Sequence, residues 1–162
     1  MKEYNFITYW KVNAPVQDTW EIIMNTGRWH EWWKGVLDVH EIKKGNDGYT
    51  GACFSHTWRS FIPYKLKFVT EITEVNFNRT IKANVTGELE GTGEWKFKDD
   101  GSGNTTVIYY WHVRTTMAWM NITAPLLSGI FRWNHDTVMR WGGMGLGKKL
   151  NCKVEFSSEW IH

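Results

Sequence analysis

With 162 residues the chain has the size of one domain and leaves little room for two. Apolar residues make up 42% and charged ones 22%, with only 3 prolines, which excludes a disordered or low-complexity chain. The net charge of +2 arises from 19 basic and 17 acidic residues dispersed along the chain, so no electrostatic footprint for nucleic acid is present. Rings are the outlier: 12 Trp, 6 Tyr and 8 Phe exceed what a core of this size conceals. The surplus is expected to line a cavity, rim its mouth or mark a contact surface.

Cys53 and Cys152 lie far apart, and the opening residues Met-Lys-Glu-Tyr-Asn-Phe contain no apolar signal segment. A cytoplasmic location with two free thiols is therefore expected. On that reading the sequons at Asn78, Asn84, Asn104 and Asn121 are chance matches. No apolar stretch approaches the length of a membrane span, so stable insertion is not expected.

In chain order, the first strand runs from about Tyr4 to Val12, with Phe6, Thr8 and Trp10 on one face. Asn13-Ala14-Pro15 opens a helix in which Val16, Trp20 and Ile23 recur at helical spacing, to about Met24. A break at Asn25-Thr26-Gly27 leads into a short helical turn carrying Trp29, Trp32 and Trp33. Six strands are expected next, from about Val36, Gly51, Tyr64, Ile81, Leu89 and Val107. They are separated by turn-rich segments such as Lys44-Gly45-Asn46-Asp47-Gly48 and Asp99-Asp100-Gly101-Ser102-Gly103-Asn104. In the strands from Tyr64, Ile81 and Leu89 apolar and polar residues alternate, which implies an antiparallel meander with one wet face and one covered face. Met117 to Thr123 reads as a helical lead-in, and Pro125 opens a long helix to about Leu150. On it Phe131, His135, Val138, Gly142 and Leu146 share a stripe, with Leu127, Asn134 and Trp141 beside it. Residues 152–162 read as a peripheral tail of a single domain spanning 1–162.

This order of strand, two helices, six strands and long helix implies an α+β fold. A curved antiparallel sheet has one apolar concave face, and the C-terminal helix is the sole element long enough to cover it. One helix is about 10 Å across and the sheet is several strands wide, so part of that face stays hollow unless the short helices close it. A cavity between sheet and helix is the central expectation.

Several segments carry a resemblance. Ala14-Pro15-Val16-x-x-x-Trp20 after a first strand, Trp29-His30-Glu31-Trp32-Trp33, Pro63-Tyr64-x-Leu66-x-Phe68 and Gly91-Thr92-Gly93-x-Trp95 resemble the START-like superfamily and its helix-grip fold. Thr115-Thr116-x-x-Trp119-Met120, followed by Phe131-Arg132-Trp133-Asn134-His135-Asp136, is similar to its bacterial polyketide cyclase/dehydrase-like branch, also called SRPBCC proteins. The resemblance covers roughly residues 4 to 150. It implies the curved sheet wrapped around a C-terminal helix, but leaves function open among lipid carriers, aromatase/cyclases, hormone receptors and stress-induced proteins.

The candidate ligand-binding residues are Phe68, Tyr64, Trp95, Tyr109, Trp111, Phe131, Asn134, His135, Val138 and Trp33. His135 on the helix stripe is suited to acid or base work, with Tyr109 as a second proton shuttle; the alternative is a polar cluster tying helix to sheet. Asp136 points about 100° away from its neighbour His135 and need not orient it. For residues 51–58 two parities remain: Phe54, His56 and Trp58 inward, or Cys53 and Ser55 inward. Tyr109 and Trp111 are expected to face in, with Tyr110, His112 and Arg114 on the wet face. The Trp29, Trp32 and Trp33 turn is either a wall at the pocket mouth or a packing plug. Gly142, Gly143, Gly145 and Gly147 fall late in a helix rather than before one, which suits close packing and not a phosphate loop. With no HExxH or CxxC spacing and no nucleophile elbow, neither metal nor cofactor is expected. The expected partner is a small hydrophobic ligand such as a lipid, polyketide or aromatic metabolite; the alternative is a cyclase or dehydratase acting on a polyketide in the same cavity. No pattern specifies an oligomeric state.

Overall fold

The computed structural model describes residues 2–161. The elements in order are β1 (Glu3–Val12), α1 (Val16–Met24), a 3-10 turn (Thr26–Arg28), α2 (Trp29–Trp32), β2 (Val36–Lys43), β3 (Cys53–Trp58), β4 (Leu66–Asn76), β5 (Thr80–Gly87), β6 (Leu89–Asp99), β7 (Thr105–Thr115), α3 (Ala118–Leu150) and β8 (Val154–Ile161). The strands form one antiparallel sheet in the order β2-β3-β4-β5-β6-β7-β1-β8. This is the α+β helix-grip architecture: a curved sheet around a long helix.

Local chemistry sets the turns and the bend. The Asn46 side-chain oxygen accepts from the amides of Gly48 and Thr50 at 2.9 and 3.1 Å, closing the loop between β2 and β3. Asn78, at φ 59°, turns β4 into β5, a backbone region that asparagine tolerates. Register shifts at Val36/Asp38 and Glu41/Lys43 between β2 and β3, and at Ile72/Glu74 between β4 and β5, bend the strands as bulges do.

Alternation places Tyr4, Phe6, Thr8, Trp10 and Val12 of β1 on the concave side. The buried apolar residues divide into two clusters. One, around Trp10, Trp33, Ile23 and Leu146, joins α1, α2 and the C-terminal half of α3 to the sheet. The other, around Tyr4, Phe6, Phe68 and Trp111, lies nearer the N-terminal half of α3. The C-terminal half of α3 is pinned: the indole N–H groups of Trp33 and Trp10 donate to the carbonyls of Val138 and Met139 at 2.8 and 3.1 Å.

The glycines permit this approach, and the surface they meet is more varied than a sheet. An added Cβ at Gly142 would run into the Trp33 ring, at Gly145 into the backbone carbonyl of Trp32, and at Gly143 would lie 3.2 Å from Trp10 Nε1. The glycine run therefore seats α3 against the tryptophan turn as well as β1.

Two expectations are corrected. The lead-in and the long helix are one helix of 33 residues, with Pro125 inside it. Pro125 has no N–H for the Asn121 carbonyl, but it is solvent exposed, where that lost bond costs less. The preceding turn is tied to β7 by Asn121 Nδ2 donating to the Thr115 carbonyl at 3.0 Å. The residues read as a tail form β8 instead. Asn151 takes the left-handed conformation at φ 51°, Cys152 N donates to Gly147 O at 2.9 Å, and the chain turns back to pair along β1.

Candidate functional site

The concave face of the sheet and α3 as far as Met139 do not meet solidly. Between them lies a cavity of about 200 Å3, many times the roughly 10–15 Å3 that admits one water. The strands supply its floor and walls through Phe68, Trp95, Tyr109, Trp111, Ile72 and Ala83; α3 supplies Phe131, Asn134, His135, Val138 and Met139. The segment between β3 and β4 closes one side with Arg59, Ser60, Ile62 and Tyr64.

The surface is mainly rings. Trp95 stacks on Tyr109 at 4.0 Å and Tyr109 on Trp111 at 5.6 Å, giving a continuous aromatic strip along β6 and β7. Phe6 stacks on His135 at 4.0 Å, and Tyr4 meets Phe131 edge-on at 6.2 Å. Gly93 makes room for the strip: a Cβ there would lie 3.1 Å from both the Trp111 ring and the Tyr109 hydroxyl.

The polar groups are few, and their states differ. His56 points inward with Phe54 and Trp58, which selects one of the two parities. Its ring is fully engaged: Trp58 Nε1 donates to Nδ1 at 3.3 Å, so the ring proton sits on Nε2, 2.9 Å from the Thr70 hydroxyl. Burial holds its pKa down at about 3, so it is neutral and has no free lone pair to offer. His135 is the opposite case. Both its ring nitrogens are buried without a hydrogen-bond partner among the described residues, with the nearest Asp136 oxygen 3.8 Å from Nδ1. Burial pushes its pKa down, against the weaker upward pull of Asp136, and keeps the imidazole neutral near neutral pH.

The Tyr4 hydroxyl, Asn134 Oδ1 and Ser60 Oγ are also buried and unpartnered. Burial raises the Tyr4 and Tyr109 hydroxyl pKa values, with Arg132 partly opposing this at Tyr4, so both phenols stay protonated. An unpaired buried polar atom costs roughly 1–3 kcal/mol, so such a group at a cavity wall marks a place where a guest or ordered water can bond. Among the described residues Arg59, exposed at the mouth, is the sole cationic lining residue, and no carboxylate lines the cavity.

Of the residues expected to bind ligand, Tyr64, Phe68, Trp95, Tyr109, Trp111, Phe131, Asn134, His135 and Val138 line the cavity, whereas Trp33 does not. Trp33 is 1% exposed and packed among Trp10, Trp29, Trp58 and Trp95, and its indole bonds to α3. It belongs to the plug, while Trp29 from the same turn reaches the wall. Tyr4, which alternates with Phe6 along β1, also lines the cavity, although it is not among the residues expected to bind ligand. Arg59, Ser60 and Ile62, which precede Pro63, follow no periodicity from which their placement at the cavity can be read.

A family model described as polyketide cyclase / dehydrase and lipid transport matches residues 10–146. None of the curated proteins matches the chain. Among solved structures, it is similar to the Zhui aromatase/cyclase of a Streptomyces species, with a TM-score of 0.72 and 11% identity over 92% of this chain and 96% of that one. A START superfamily protein from Mycobacterium smegmatis gives a TM-score of 0.66 and 12% identity over 84% and 94% of the two chains. A conserved protein from Geobacillus kaustophilus gives 0.67 and 14% identity over 93% and 99%. At these identities the likeness shows a shared fold. The family match spans most of the chain, and on that ground the protein belongs to the polyketide cyclase/dehydrase and lipid transport family.

Proposed function

We propose that the protein binds a small, largely apolar and uncharged ligand in the cavity between sheet and α3. The observation that carries this reading is the pairing of an aromatic-walled hollow with unpartnered Tyr4, Asn134 and His135 polar atoms at its wall. Apolar walls with a few fixed polar groups are the usual make-up of a small-molecule site. A neutral imidazole, an amide and a phenol suit a carbonyl or hydroxyl. A carboxylate or phosphate deep inside would find no cation among the described residues there.

Titration with N-phenylnaphthylamine, a neutral apolar fluorophore, tests this. Saturable enhancement is expected, together with ligand mass retained in native mass spectra of protein taken from cells. His135→Ala is expected to weaken a carbonyl-bearing ligand about tenfold, the worth of one hydrogen bond to a buried partner. Absence of both saturable probe binding and any retained mass would reject the proposal.

One observation favours a second reading, that of a cyclase or dehydratase. His135 has a free lone pair in a mainly apolar cavity, the condition for a general base. On this reading His135 takes a proton from a carbon between two carbonyls and returns it to the alkoxide formed on ring closure, with Tyr109 donating to a carbonyl. His135→Ala would then abolish turnover of a polyketide while leaving probe binding intact. Turnover that survives the substitution speaks against it.

A further inference from the structure

The N-terminal half of α3 carries a second apolar face that the cavity does not use. Ile122, Leu126 and Trp133 are 77%, 87% and 53% exposed. At 3.6 residues per turn, Trp119, Ile122, Leu126, Ile130 and Trp133 fall within roughly 80° of one another. Phe131, Asn134 and Val138 lie on a different face, turned to the cavity. Phe61, from the segment between β3 and β4, is 62% exposed and stacks on Trp133 at 5.5 Å, so the patch continues from the helix onto that segment. A contiguous exposed apolar patch marks a contact site.

Two further observations identify what covers it. The same two pieces of chain frame the cavity: Arg59, Ser60, Ile62 and Tyr64 line it from one, Met120 and Phe131 from the other. Charge here leans basic. Residues 59–65 hold two cations, Arg59 and Lys65, and no acid, and Lys34 lies 4.4 Å over the ring of Trp141, which packs on Phe61. On the helix Arg132 is turned to the Trp160 ring, and Asp136, one turn beyond Trp133, lies 3.8 Å from His135 Nδ1. Glu88, a second acid that reaches this end, is held by the Tyr64 hydroxyl at 2.9 Å and the Lys67 amide at 2.7 Å. Exposed Trp, Phe, Ile and Leu flanked by Arg and Lys suit the boundary between lipid tails and anionic headgroups. A two-fold contact between copies would instead gather like charges with little to pair them.

We propose that this face docks the protein onto an anionic phospholipid surface, lying on the bilayer rather than crossing it, with the cavity opening beside the lipid. Delivery of a guest rests on the ligand-binding reading above; docking itself requires no guest.

Co-sedimentation with empty vesicles tests it, comparing phosphatidylcholine alone with an equal mixture of phosphatidylcholine and phosphatidylglycerol. Binding to the mixture is expected, and at least about tenfold weaker binding to phosphatidylcholine alone, since each surface cation multiplies partitioning by about fivefold. Ile122→Asp and Leu126→Asp, both outside the cavity lining, are expected to lower binding to the mixture more than about tenfold while retaining N-phenylnaphthylamine uptake and the native circular dichroism. No sedimentation with either vesicle, or unchanged sedimentation of the two variants, would overturn the proposal. A dimer in sedimentation velocity that Leu126→Asp dissolves would also overturn it, by assigning the face to a second copy. Failure of probe uptake with vesicle binding intact would reject the cavity reading and leave docking standing.

Discussion

His56 and His135 share one cavity and one residue type, yet their surroundings give them different capacities. Trp58 and Thr70 consume both nitrogens of His56, while neither nitrogen of His135 is bonded. For His56 the folded-state pKa of about 3 lies below the unfolded value near 6.5, so between those values the unfolded chain binds the extra proton. Stability is therefore full above about pH 6.5 and declines as pH falls toward 3, by about 2 kcal/mol from this residue between pH 6.5 and 5. His135 adds to the loss in the same direction. Chemical unfolding of the native protein across that range is expected to show the decline, and His56→Gln is expected to flatten it. An equal slope in the variant would show that His56 does not cause it.

At the scale of elements, α3 is two structures in one helix. Its C-terminal half is bolted down by glycines and by the Trp10 and Trp33 indoles, whereas its N-terminal half spans the hollow. Gly145→Ala exposes the difference. Alanine is better than glycine in a helix by about 1 kcal/mol, but here the added methyl meets the Trp32 backbone carbonyl, which cannot rotate away. The substitution is expected to destabilise by about 2–4 kcal/mol in denaturant unfolding. Gly129→Ala, with open space around its added carbon, is expected to be neutral or stabilising. If both changes stabilise, the α3–α2 approach is looser than the structure gives. β8 is the other element of consequence, because it covers the outer edge of β1 that would otherwise offer unpaired backbone groups.

The whole molecule leaves space inside where most proteins of this size pack solidly. Ala83 lines that space without filling it, so Ala83→Leu adds apolar contact inside the cavity. The empty protein is expected to gain about 1 kcal/mol, or about 2–4 °C in Tm, and to bind N-phenylnaphthylamine at least about tenfold more weakly. A gain in both stability and probe affinity would place the probe elsewhere. Opposite changes are expected because the same volume cannot hold both a side chain and a guest.

Much of this was written in the chain. Alternation in β1 and β4 to β7 put Tyr109, Trp111, Phe68 and Trp95 on the inward face, and the stripe on α3 put Phe131, His135 and Val138 opposite them, because period alone decides which side a residue takes. The parity of residues 53–58, the unbroken helix through Pro125 and the eighth strand followed from contacts between distant segments, to which a local pattern is blind. Tertiary structure alone also separated His56 from His135, since a histidine's chemistry is set by which atoms reach its nitrogens. It likewise sent Trp33 into the plug while Trp29 met the cavity, a division that four residues of sequence spacing do not reveal.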